Sequence, residues 1–155
     1  MTLRLALYQP DIAENVGAAI RIAACFDAGL DVVGPCGFPL DARRVRRVAM
    51  DYRARIEPVL HSGWTAFAAD AAGRGRRLVL LTTRGAERMG DFVFAPGDVV
   101  LMGRETAGAP EAVHDAAGAR VIIPLAAGAR SLNVAVAAGI ALAEARRQLG
   151  FAPAV

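Results

Sequence analysis

Three short stretches of this chain combine polar or charged side chains with glycines that let a backbone approach a ligand. The first is Asn15-x-Gly17-x-x-x-Arg21. An asparagine can cap a helix, a glycine permits close approach, and the planar fork of Arg21, one turn further on, suits phosphate or ribose oxygens. The second is Gly103-Arg104-Glu105-Thr106-Ala107-Gly108-Ala109-Pro110. Here two glycines bracket a carboxylate, and Glu105 can accept hydrogen bonds from hydroxyl or amine groups of a ligand. The third runs from Ile123-Pro124-Leu125 to Arg130-Ser131-Leu132-Asn133, where Ser131 is expected to cap a helix and leave its first amides free for polar atoms. Taken singly, a cap, a packing glycine or a surface turn explains each set equally well. No GxGxxG opens a helix after a strand and the chain has no lysine, which argues against a dinucleotide fingerprint and a phosphate-binding P-loop. No metal-ligand spacing is visible, so no metal is expected. A separate group, Arg43, Arg44, Arg46, Arg47, Arg53 and Arg55 with Tyr52 among them, concentrates positive charge that either forms a solvated helix face or grips phosphates.

Such residues need strands and helices to hold them, and the apolar pattern alternates between the two. Leu3 to Tyr8 reads as a strand, followed by a helix from about Asn15 to Ala28 that Gly29 is placed to end. Leu30 to Val33 reads as a second strand, Asp41 as the cap of a short basic helix through Val48, and Arg55 to Leu60 as a third strand. Ser62 is expected to cap a helix carrying Trp64, Phe67 and Ala68 and ending at Gly73. Leu78 to Leu81, Val99 to Met102 and Val121 to Ile123 are continuous apolar runs, the mark of strands covered on both faces. Pro110 suits the first position of a helix, and Ser131 to Leu149 reads as a long helix with small residues Ala135, Ala138, Gly139 and Ala143 on one face. The expected fold is a single α/β domain over residues 1–155, a mostly parallel sheet flanked by helices. Each candidate set then follows a strand, where ligands collect in such folds.

Composition narrows the setting. The chain has 155 residues, 55% hydrophobic and 21% charged, enough for one sizeable core. All 18 basic residues are arginine and the net charge is +3, so the local arginine cluster says more than the total. Cys25 and Cys36 fit reduced structural thiols, with Cys25 on the apolar face of its helix. With no basic leader and no run of about 18 apolar residues, the expectation is a cytoplasmic protein without a membrane span. His61 and His114 show no partner in the sequence, and Trp64 is assigned to the core.

In order and spacing the three sets resemble the three motifs of the SPOUT class of methyltransferases, in its 2′-O-ribose branch. The resemblance runs over nearly the whole chain. It extends to Leu7-Tyr8-Gln9-Pro10-Asp11-Ile12, to Gly37-Phe38-Pro39-Leu40-Asp41, to Arg46-Arg47-Val48-Ala49-Met50-Asp51-Tyr52 and to Leu81-Thr82-Thr83-Arg84-Gly85, which look like the single-domain subgroup acting on the tRNA wobble nucleotide. The resemblance implies a C-terminal trefoil knot forming an S-adenosylmethionine pocket, lined by Leu81, Thr82, Gly103, Glu105, Gly108, Ile123, Leu125, Ser131 and Leu132. It implies a homodimer in which Arg21 reaches the partner's donor and serves catalysis, with Asn15 and Asn133 orienting the nucleotide. Arg43, Arg44, Arg46, Arg47, Tyr52 and Arg53 then become the contacts to a tRNA anticodon stem-loop. Three departures stand out: Arg104 occupies a position usually held by proline, Ala107 one that is commonly basic, and Val134-Ala135-Val136 replaces a small polar pair. Methylation of another structured RNA such as rRNA, or a non-catalytic RNA-binding relative, are the alternative readings.

Overall fold

The computed structural model describes residues 2–84 and 87–151. Seven strands form one sheet: β1 Arg4–Tyr8, β2 Gly29–Val33, β3 Val59–His61, β4 Leu78–Leu81, β5 Glu87–Arg88, β6 Val99–Met102 and β7 Ala119–Ile122. Around it lie α1 Ala13–Cys25, α2 Arg43–Ala49, α3 Trp64–Gly73, α4 Glu111–Ala116 and α5 Val134–Leu149, with a 3₁₀ helix at Met50–Ala54. The spatial order is β3-β2-β1-β6-β4-β7-β5 and every pairing is parallel. The chain therefore builds outward from β1 to β3 on one side, crosses over, and later inserts β6 between β1 and β4 and β7 between β4 and β5, so the order reverses between β1 and β6. In open α/β sheets ligands bind at such a reversal, in the crevice beyond the carboxyl ends of the strands.

Side chains alternate across the central strands, and both faces are filled. Leu5 and Leu7 enter the core beneath α1, α2 and α5, together with Val16, Ile20, Val100 and Leu142. Ala6 and Tyr8 enter the opposite core with Phe67, Leu80, Leu101 and Val113, under α3 and α4. Two-sided burial is why β4 and β6 read as unbroken apolar runs. Register decides which loops can meet: Met102 lies beside both Leu7 and Leu81, and Leu81 beside Val121. The segments after β1, β4, β6 and β7 consequently leave the sheet at one edge.

The helix ends differ from the sequence-based expectation. α1 starts at Ala13 with Ile12 in the cap position, so Asn15 lies inside the first turn and caps nothing. It ends at Cys25, with Asp27 at φ 49 turning the chain, while Gly29 opens β2. At Gly29 a Cβ would meet the Arg4 guanidinium, whose Nε donates to the buried Asp31, so a side chain there would have to displace that arginine. Asp41, Ser62 and Ser131 cap nothing; the cap positions belong to Ala42, Gly63 and Asn133. Pro110 stands one residue before α4, in the cap position. The third strand is only Val59–His61: Arg55 closes the 3₁₀ helix, its N–H donating to the Tyr52 carbonyl, and pairing with β2 begins at Val59. Ala135, Ala138, Ala141, Leu142 and Ala145 form the buried face of α5, whereas Ala143 is exposed. Cys25 is exposed, and Trp64 is half-buried with its ring edge against Tyr8. No helix among the described residues is long and apolar enough to cross a membrane.

Candidate active site

At the shared strand edge the loops enclose a cavity of about 390 Å³. All nine residues expected to line a pocket do so: Leu81, Thr82, Gly103, Glu105, Gly108, Ile123, Leu125, Ser131 and Leu132. Gly85 lies outside the described residues. The loop after β6 is pinched closed, Arg104 and Gly108 exchanging N–H···O=C bonds of 3.0 Å each way. Two glycines make this possible. A Cβ on Gly103 would stand 2.6 Å from the Ala109 nitrogen, and Gly108 takes φ 65.

Hydrogen bonds join the three motif stretches into one chain of contacts. The Glu105 carboxylate accepts from the Asp11 N–H at 2.7 Å, the Ile12 N–H at 3.4 Å and the Asn15 side-chain amide at 3.2 Å. Asn15, itself buried, accepts at Oδ1 from the Asn133 amide at 3.1 Å. Asn133 Oδ1 in turn caps α5, accepting from the Ala135 and Val136 N–H groups at 2.9 and 3.2 Å. Glu105, Asn15 and Asn133 are thus spent on holding loops to helices, a role invisible in any one motif because each partner sits in another. Asp11 adds a second tie, accepting from Arg104 Nη2 at 2.6 Å and the Thr106 hydroxyl at 2.8 Å. Those two donors hold its carboxyl below the usual carboxylate range. Arg104 is therefore an anchor between the loop and the start of α1.

The wall also contains Arg84, His114 and Arg130, none of which was expected to line the pocket. His114 is buried and has partners on both ring nitrogens: Nδ1 lies 3.2 Å from the Pro110 carbonyl and Nε2 3.1 Å from the Thr82 hydroxyl. A carbonyl only accepts, which assigns the proton to Nδ1. In the neutral ring, Nε2 takes the Thr82 proton, while Thr82 Oγ1 accepts from the Arg84 N–H at 3.1 Å. His61 is likewise paired, 2.9 Å from Asp31. Both histidines are structural, and the side chains that pair with them, Thr82 and Asp31, lie about 30 residues away in the chain, which is why no partner is visible in the sequence.

Arg21 does not line this cavity. It is exposed on α1, with Nη1 3.4 Å from Met50 Sδ and its guanidinium 5.5 Å from the Tyr52 ring centre. Arg43, Arg44, Arg46 and Arg47 are exposed on α2, whose Val45 and Ala49 are buried against α1. Arg53 behaves differently, being half-buried and donating to the Leu40 carbonyl at 3.2 Å. Tyr52 is half-buried with Arg55 also over its ring, at 5.6 Å.

A switched parallel sheet whose motif loops converge on one cavity at its carboxyl edge describes the SpoU rRNA Methylase family, and this chain belongs to it, matching the family model over residues 2–143. Within the family, the chain is 53% identical over 150 residues to the tRNA (cytidine(34)-2′-O)-methyltransferase of Ancylobacter novellus, covering 97% of this chain and 95% of that relative. A solved structure described as "Structural insights into the 2-OH methylation of C/U34 on tRNA" superposes with a TM-score of 0.90 at 38% identity, covering 95% of each chain. The SpoU methyltransferase AviRb of Streptomyces viridochromogenes, in complex with AdoMet, gives a TM-score of 0.86 at 30% identity, covering 96% of this chain and 58% of that one.

Proposed function

We infer that this protein transfers a methyl group from S-adenosylmethionine to the ribose 2′-hydroxyl of nucleotide 34, a cytidine or uridine, in tRNA. The observation carrying this reading is that the second and third motif stretches wall one cavity while Asn15 of the first is hydrogen-bonded to Glu105 and Asn133, in a chain 53% identical to a relative named for that reaction.

The residues present fit the donor. Leu81, Ile123, Leu125 and Leu132 supply apolar surface for a purine, Thr82 and Ser131 supply hydroxyls, and Gly103 lets the loop beside them close tightly on itself. When bound, S-adenosylmethionine supplies an electrophilic methyl group on a sulfonium. Around it, Glu105 holds the loop, and Asn15 and Asn133 keep the ends of α1 and α5 in register with it. A guanidinium offers only hydrogen-bond donors, so Arg21 is no base. Its role is to hold the ribose or a neighbouring phosphate and to stabilise the oxygen as the proton passes to water or a phosphate oxygen.

Arg21 stands away from its own chain's cavity, which favours a homodimer in which it serves the partner's site. Arg43, Arg44, Arg46 and Arg47 form an exposed basic face suited to the phosphates of an anticodon stem-loop. By the same reading the segment from β4 to α5 carries the family's trefoil knot. A tRNA substrate implies action in the cytoplasm.

The test is transfer of labelled methyl from S-adenosylmethionine to tRNA from cells lacking the protein, with the product mapped by nuclease digestion and mass spectrometry. A 2′-O-methyl mark at nucleotide 34 that disappears with Arg21→Ala is expected. Label appearing only in rRNA, or nowhere despite donor binding, would overturn the assignment.

A further inference from the structure

We propose that Tyr52 is a positioning residue for Arg21, and that the turn from α2 into the 3₁₀ helix exists to bring its ring there. The proposal rests on the reading of Arg21 as the catalytic arginine. Two independent features point to it. Met50 adopts φ 53 and ψ −140, a conformation that side chains other than glycine rarely take, and its own side chain is 58% exposed, so no core burial compensates for the strain. That strained residue turns the chain so that Met50 Sδ meets Arg21 Nη1 at 3.4 Å and Tyr52 brings its ring within 5.5 Å of the same guanidinium.

The seat is braced from behind. Arg53 donates to the Leu40 carbonyl at 3.2 Å, and α2 approaches α1 so closely that a Cβ on Gly17 would stand 2.6 Å from the Val45 carbonyl oxygen. A free arginine samples many rotamers. One held over an aromatic face by the ring quadrupole loses much of that freedom before substrate arrives. Because the seat continues directly from the basic face of α2, the element that meets RNA phosphates also fixes Arg21. Arg55 lies over the same ring at 5.6 Å and adds a second cation to this junction.

The experiment compares full-length wild type, Tyr52→Phe, Tyr52→Leu and Arg21→Ala, measuring single-turnover methyl transfer at saturating tRNA and donor alongside tRNA and donor affinity. Tyr52→Leu should slow transfer about two- to fivefold, the scale set by an exposed cation–π contact, with both affinities unchanged from wild type. Tyr52→Phe, which keeps the aromatic face, should restore most of the rate. Unchanged donor affinity also shows that the variant is folded. A loss of tRNA affinity with the saturated rate intact would mean that the ring stacks on RNA, and would overturn the proposal. So would an unchanged or increased rate in Tyr52→Leu. A wild-type rate in Arg21→Ala would instead bring down the catalytic reading of Arg21 itself.

Discussion

Glu105 stands out in the sequence as a carboxylate between two glycines, but the work its carboxylate does is defined only by the fold. Its carboxylate offers acceptors alone, and the three groups facing it are all N–H donors, from Asp11, Ile12 and Asn15. Glu105→Gln would set an amide N–H₂ against at least one of those donors, at a cost of about 1–3 kcal/mol. Since the loop bearing Glu105 walls the cavity, donor affinity should fall roughly tenfold, read by calorimetry with S-adenosylmethionine. Affinity equal to wild type would show that the loop is held by Asp11, Arg104 and Thr106 without it. The spacing of Gly103, Glu105 and Gly108 was legible because bends and carboxylates are coded locally. The partners were not, since they lie about 90 residues earlier in the chain.

The strands and helices were legible to different degrees, for a physical reason. Strands β4 and β6 are buried on both faces, so composition alone marks them. Helix ends depend on which of several nearby polar residues reaches the free amides. Ser131 was the expected cap of α5, but Asn133 fills that role, its side-chain oxygen accepting from the first amides while its amide reaches Asn15 on α1. The α1–α2 contact is the most exacting of the helix pairings. At Gly17 a Cβ would lie 2.6 Å from the Val45 oxygen and 2.8 Å from the Val48 Cβ, both parts of a helix that cannot yield locally. Gly17→Ala should therefore push α2 off α1, costing about 1–3 kcal/mol despite the better helix propensity of alanine. As α2 carries the basic face, tRNA affinity should weaken while donor affinity, set by the loops around the cavity, holds. Thermal melts with paired binding measurements check this, and a stabilised variant with normal tRNA binding would refute the tight contact.

At the scale of the whole molecule, periodicity indicated a parallel α/β sheet but not its order, because pairing between β1 and β6 links segments roughly 95 residues apart. Nor could it show that Arg21 stands outside the cavity of its own chain. Helix α5 supplies a reason to look to a second copy. Beyond its buried face it presents Val136 at 51% exposure and Ile140 at 40%, one turn apart, with Ala143 continuing the stripe. If two copies meet there and exchange Arg21, defects in different subunits should complement. Arg21→Ala leaves the cavity intact, while Gly103→Val breaks open the loop that walls it, since even a Cβ at Gly103 would lie 2.6 Å from the Ala109 nitrogen. Each variant alone should be inactive. In a mixed dimer, the intact cavity of the Arg21→Ala subunit is served by the partner subunit's Arg21, giving one working site of two. With random exchange, about a quarter of wild-type methyl transfer should return. If Arg21 acts within its own chain, every mixed dimer has one site without arginine and one without a cavity, and mixing restores nothing. Adding Val136→Asp and Ile140→Asp to both variants should abolish the recovery and shift the protein to monomer in sedimentation, tying complementation to the α5 face.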